Sequence, residues 1–260
     1  LFQVEAFTRT LAGFFLFCLT SSAVYLLNDI TDVEADRKHP EKKHRPIASG
    51  KLPLNVAWSA AIVLVLIALP AAYFLAPALA AILALYFTIN ILYSRWLKHV
   101  PVLDVMIISA GFVLRVAAGV SLITVERFSP WLYVITTLFS LYIGLGKRRA
   151  EMTLLSQGAG SHRKVLDGYT IPLLDQYITI VSGTTIVTYS LYTFTAPNLP
   201  ANHSMMLTIP FVVYGIFRYL QLIQTGHAAG APDEVALKDR PLQVTVLLWG
   251  LAVIAVFYLS

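Results

Sequence analysis

Long apolar runs alternate with short segments dense in charge along this chain. Runs long enough for a bilayer-spanning helix, about 20 residues, fall near 7–27, 54–75, 77–93, 102–122, 130–146, 171–195, 205–224 and 242–259. The pattern predicts eight transmembrane helices that use most of the 260 residues and leave no room for a separate soluble domain. Pro70 and Pro77 bracket a very short connection, so the second and third spans are expected to form a tight hairpin. The stretch 225–233, Thr-Gly-His-Ala-Ala-Gly-Ala-Pro-Asp, is expected to be a flexible connector.

Composition agrees with that pattern. Hydrophobic residues make up 57% and charged residues 13%, against about 45–50% and about 25% in soluble domains. Disordered, collagen-like and disulfide-rich secreted classes are excluded. The lone Cys18 lies in the first span and cannot form an internal disulfide. The chain opens on Leu1 with no recognisable signal peptide, and an N-terminal piece is expected to be missing.

The net charge of +5 would suit a nucleic-acid partner, but its placement points to a membrane instead. Segments 28–53, 94–101, 147–170 and 225–241 hold 15 of the 19 Lys and Arg residues. The positive-inside rule puts these four loops in the cytoplasm. Arg127 falls in an opposite loop, Arg9 near the outer end of the first span, and Arg115 and Arg218 inside spans. Acids cluster with the basic loops: Asp29, Asp32, Glu34, Asp36 and Glu41 in the first, Asp233, Glu234 and Asp239 in the last. Acids contribute little to orientation, so chemistry is the better reason for them.

Asn28, Asp32 and Asp36 recur every four residues. If the first span continues as a helix past the membrane surface, they form one stripe with steps of about 6 Å. Carboxylates so spaced repel, and a divalent cation reverses that cost. All-oxygen ligands suit Mg²⁺, with Mn²⁺ as the alternative. Mg²⁺ takes one or two carboxylates together with substrate phosphates and waters, so the stripe points to a Mg²⁺–diphosphate complex. Pro40 and Pro46 then break the helix and Gly50 permits a turn. The loop can fold Arg37, Lys42 and Arg45 back over the acids, which is what a polyphosphate requires.

From Asn28 to Asp36 the chain reads N-D-x-x-D-x-x-x-D, and from Asp36 to Gly50 D-R-x-H-P-x-K-x-x-R-P-I-A-S-G. This resembles the first aspartate-rich motif of the UbiA superfamily of intramembrane prenyltransferases. The resemblance implies an all-α polytopic membrane protein, a UbiA-like bundle of nine transmembrane helices of which eight are visible here. It also implies one transmembrane catalytic domain over 1–260, a multi-pass location in the cell (inner) membrane, and an active site open to the cytoplasm.

Aromatic prenyltransferases of the superfamily carry a second D-x-x-x-D motif after the sixth span, which holds a second Mg²⁺. Here that place reads Gly146-Lys147-Arg148-Arg149-Ala150-Glu151, with no Asp pair within reach. This is similar to the decaprenyl-phosphate phosphoribosyltransferase branch, as are Val100–Asp104 leading to Gly111–Arg115, and Asp233-Glu234 with Asp239-Arg240-Pro241-Leu242. The branch implies transfer of 5-phosphoribose from 5-phosphoribosyl 1-diphosphate (PRPP) to a polyprenyl phosphate, releasing diphosphate, in supply of a cell-wall arabinan precursor. On this reading Asn28, Asp32 and Asp36 hold the metal, and Asp32, Asp36 and Lys147 serve catalysis. Asp29, Arg37, Lys42, Arg45, Arg115, Arg148, Glu151 and Arg240 contact substrate. Glu151, four residues after Lys147, can orient that lysine.

Arg115 is an intramembrane cation about 16 Å along its helix from Asp104. It can contact a phosphate or cavity water, or hold a neighbouring helix. Arg218 is expected to snorkel to the interface. The six histidines show no zinc spacing, and the string Ser182-Gly183-Thr184-Thr185 reads as helix packing. The expected partners are PRPP, a polyprenyl phosphate and the bilayer, with no nucleic acid; a homo-oligomer is left open. Two other readings remain: a prenyltransferase acting on an aromatic acceptor, and a transporter or flippase. The latter should show internal repeats and a midplane site, which this sequence does not.

Overall fold

Uninterrupted apolar sequence in a bilayer must satisfy its own backbone, and the helix does so within one segment. The computed structural model follows that rule, and every regular element among the described residues is helical. It describes residues 4–38, 42–123, 129–156, 164–197, 199–225 and 238–259. His39, Pro40 and Glu41, Arg127, His162 and Arg163, and the connector with Asp233 and Glu234 lie outside the described residues. The chain divides into two units, Leu1–Glu126 and Arg127–Ser260.

The first unit contains α1 (Val4–Thr31), the short α2 (Val33–Lys38), α3 (Leu54–Leu75), α4 (Pro77–Arg95) and α5 (Leu103–Val120). Helix α1 packs on α3 through small residues: Ala57, Ala61, Ala68 and Ala72 are sealed, and small residues let membrane helices approach closely. Around them Phe17, Leu79, Leu83, Tyr86, Ala118 and Leu122 form the core. The expected hairpin is present, with one residue, Ala76, in extended conformation between α3 and α4. Pro70 does not end α3 but sits inside it, as neighbouring helices permit in membranes. Pro77 opens α4, where its missing N–H costs nothing.

The second unit contains α6 (Trp131–Ser156), α7 (Ile171–Thr195), α8 (Ile209–Gln224), preceded by a 3₁₀ turn, and α9 (Arg240–Leu259). Eight long helical segments are thus described. Six are apolar enough by length and composition to cross a membrane; α6 and α7 are less so. Hydroxyls within both helices, and the cations that begin at Lys147 in α6, account for the difference. Thr136, Thr137, Ser140 and Thr185 each donate to a carbonyl one turn back, at 2.6–2.8 Å, so these polar groups are satisfied without water. Helix α6 also outruns its apolar segment, continuing from the expected end near 146 to Ser156.

Candidate active site

The first motif rides on a rigid extension of α1. Asp32 interrupts the helix formally, yet its N–H bonds the Asn28 carbonyl at 2.9 Å and the Asp36 N–H bonds the Asp32 carbonyl at 2.8 Å. The helical register therefore passes through to α2, and Asn28, Asp32 and Asp36 lie along one face. Each side chain of this stripe has a partner. The Ser94 hydroxyl donates to Asn28 Oδ1 at 2.9 Å. Lys98 Nζ donates to Asp32 Oδ1. Arg45 Nη1 bridges Asp29 Oδ1 at 2.8 Å and Asp36 Oδ2 at 3.0 Å. Asp36 is only 4% exposed.

The loop does fold back as the prolines suggest. Ile47 and Ala48 are buried, Ile47 in a cluster with Ile30 and Ala57, and Gly50 turns the chain at φ 79°. This anchoring delivers Arg45 to the carboxylates. Lys42, on a short 3₁₀ turn, interacts electrostatically with Asp29. Arg37 points elsewhere, pairing with Glu34 at 2.7 Å and the Ala48 carbonyl at 3.3 Å.

Among the described residues no three His, Cys, Asp or Glu side chains converge into a ready metal cage. The donors nonetheless fit the chemistry expected of Mg²⁺ on a diphosphate: two carboxylates and an amide oxygen on one helix face, with the remaining ligands left to phosphate and water. Composition and spacing did not single out Ser94 and Lys98. Their signal is a polar row on and just beyond α4, Tyr86, Asn90, Ser94 and Lys98, one residue every four.

The second motif lies in the last turns of α6. Gly146 lets α6 approach α8: a Cβ there would stand 2.7 Å from Ile223 Cδ1 and 2.9 Å from Tyr219 Oη. Arg149 donates through Nε to Asp175 of α7 and through Nη1 to the Ile223 carbonyl of α8 at 3.0 Å. Arg148 is 2% exposed and pairs with Glu151. Of the two cations within reach on its helix face, Lys147 at four residues and Arg148 at three, Glu151 thus meets Arg148. Lys147 is half-buried and has no hydrogen-bond or ion-pair partner among the described residues.

Elsewhere in this unit Arg240 is exposed in the first turn of α9. Arg218 does not simply snorkel. It holds Asp239 with two bonds, Nη2 to Oδ2 at 2.7 Å and Nε to Oδ1 at 3.2 Å. Asp239 also caps α9, accepting from the Leu242 N–H at 2.9 Å. The Arg218 hydrogen bond, helped by that N–H, holds the Asp239 carboxyl below its ordinary range. In the first unit Asp104 is fully buried in the first turn of α5. Arg115 sits against Phe17, Tyr86 and Phe112.

Comparison with known proteins matches this arrangement to a family. The model of the UbiA prenyltransferase family matches residues 2–233. The chain belongs to the UbiA prenyltransferase family. A decaprenyl-phosphate phosphoribosyltransferase from Mycolicibacterium smegmatis is 38% identical over 95% of this chain and 80% of its own length. Proteins of the same name from Mycobacterium tuberculosis and Corynebacterium glutamicum are each 35% identical over 95% of this chain, covering 80% and 75% of their own lengths. A UbiA homologue from Archaeoglobus fulgidus, solved bound to GPP and Mg²⁺, superposes with a TM-score of 0.73 at 16% identity, over 95% of this chain and 87% of that one. That likeness shows the fold: this UbiA family member is an all-helical, multi-pass membrane protein.

Proposed function

We propose that this UbiA family member transfers 5-phosphoribose from PRPP to a polyprenyl phosphate, releasing diphosphate, at the cytoplasmic face of the cell membrane. The observation that carries the reading is the uneven treatment of its two motifs. The α1 stripe keeps a full oxygen donor set, whereas the end of α6 carries Lys147 where aromatic prenyltransferases need acids. Relatives named for this activity, alike over nearly the whole chain, support it.

The chemistry needs little from the protein beyond charge and position. The acceptor phosphate is already an anion, so no general base is required. Its oxygen forms a bond to C1 of the ribose as the bond from C1 to the diphosphate oxygen breaks, and the diphosphate leaves with the electron pair. Asn28, Asp32 and Asp36 would hold Mg²⁺, which supplies Lewis-acid stabilisation of that leaving charge when bound. Arg45 and Lys98 pair with the clustered carboxylates and carry further N–H donors suited to diphosphate oxygens. Lys147 supplies a cation for a phosphate that arrives without metal. Positioning of donor and acceptor supplies the rest of the acceleration.

Membranes carrying the protein, incubated with PRPP labelled in the ribose and polyprenyl phosphates of several lengths, test this. The label should pass into a lipid product with stoichiometric diphosphate, and excess EDTA should stop it. Absence of labelled lipid, or transfer of a prenyl group to an aromatic acceptor instead, would reject the reading.

A further inference from the structure

Arg115 lies twelve residues into α5 from Leu103, which is about 18 Å of helix. A guanidinium at such depth calls for a reason. Its carbon stands 5.5, 5.2 and 5.0 Å from the ring centres of Phe17 (α1), Tyr86 (α4) and Phe112 (α5). Phe17 and Tyr86 are themselves buried and packed together at 4.7 Å. Nη2 donates to Tyr86 Oη at 3.0 Å, and that hydroxyl lies 3.3 Å from Ser21 Oγ. The position of the guanidinium is therefore fixed by three helices.

Its hydrogen bonding is incomplete. A guanidinium has five N–H donors, and the bond to Tyr86 is its one hydrogen bond among the described residues. No carboxylate meets it there, and none of its nitrogens is both sealed and unsatisfied. The remaining donors thus open onto space beside the α1–α4 seam. Hydrocarbon cannot fill that space, because N–H groups facing lipid tails cost several kcal/mol each. A helix brace would engage Arg115 through the rings and Tyr86 alone, and would leave these donors unexplained.

The seam also connects Arg115 to the metal stripe. On α4 the polar row runs from Tyr86 through Asn90, whose amide donates to the Tyr86 carbonyl at 2.8 Å, to Ser94 on Asn28. Along α1, Ser21 precedes Asn28 by seven residues, about 10 Å. We propose that Arg115 is a phosphate ligand, its planar fork taking a phosphomonoester dianion about two helical turns below the metal stripe. This rests on the function proposed above. It leaves two sources of the same chemistry, the 5-phosphate of the ribosyl donor and the phosphate of the lipid acceptor.

Equilibrium binding of two probes to the full chain in nanodiscs separates them: labelled ribose 5-phosphate and a short-chain prenyl phosphate. With Arg115→Gln, one probe should lose affinity roughly 10- to 150-fold, the range for a charge-assisted hydrogen bond, and the other should be unchanged. The probe that weakens names the source. Arg115→Lys keeps the charge and loses the fork, so it should lose affinity for the same probe by a smaller factor. It also decides the matter if Arg115→Gln fails to fold. Unchanged affinity of both probes in Arg115→Lys and in any folded Arg115→Gln overturns the proposal. Because binding is read without turnover, that result is distinct from a wild-type protein that fails to transfer phosphoribose, which rejects the proposed function instead.

Discussion

The two motifs occupy equivalent positions, each on helix that outruns its apolar segment, yet they treat charge in opposite ways. At the end of α1 and in α2 four acidic or amide side chains are gathered, and Ser94, Lys98 and Arg45 hold them. At the end of α6 three consecutive cations are dispersed: Arg149 ties α6 to α7 and α8, Arg148 is buried on Glu151, and Lys147 is left over. The number of charges in a motif is therefore a poor guide to the number left without a partner in the chain. In the first motif the partners make the acids tolerable as a group. In the second the partners occupy two of the three cations.

The strongest way to break the contrast is to remove a gathered carboxylate. Asp32→Ala or Asp36→Ala should lower kcat by at least about 10²–10³, the scale for losing one stabiliser of developing charge, with helix content unchanged. Wild-type turnover in both would remove the stripe from the mechanism. Next comes the leftover cation. Lys147→Gln should lower kcat/KM roughly 10- to 150-fold without changing thermal stability; unaltered kinetics would reduce the second motif to topology. A smaller effect should appear at its packing residue. Gly146→Ala pushes a methyl group toward Ile223 and Tyr219 and should cost about 1–3 kcal/mol of stability by overpacking, read as a lowered unfolding midpoint. No shift would mean that α8 gives way freely.

The smallest effect belongs to Asp239, whose folded pKa lies below its unfolded value of about 3.9. Its contribution is complete above the unfolded value and is lost as pH falls through the folded one. Asp239→Asn should therefore flatten the pH dependence of stability below about pH 4 and leave neutral-pH kinetics alone. An unchanged acid limb would show that the Arg218 pair does not contribute.

The spans and the four-residue stripe were legible because both are local periodicities, and helix geometry turns them directly into faces. The partners were not. Asn28 and Asp32 find Ser94 and Lys98 66 residues away, a relation set by α1 and α4 lying side by side. Arg149 resembles Lys147 and Arg148 as a letter in the chain, and only the proximity of Asp175 on another helix distinguishes it. Arg218 near a membrane edge looked like a side chain reaching for water, since its acceptor, Asp239, lies beyond a connector with no sequence periodicity. Short-range pattern predicts direction along one helix, whereas pairing depends on which helices are neighbours.

The unbroken backbone register through Asp32 has a consequence for engineering chimeric enzymes. A motif carried on a loop could be exchanged as a cassette between relatives of different specificity. This one is continuous with α1, and its Asn28 and Asp32 are seated by Ser94 on α4 and Lys98 just beyond it. Grafting residues 28–38 alone would carry over the acids without the supports that hold them. The smallest transplantable unit is α1 through the loop that carries Arg45, together with residues 94–98, so diphosphate binding and metal affinity should be inherited as a linked pair in such hybrids.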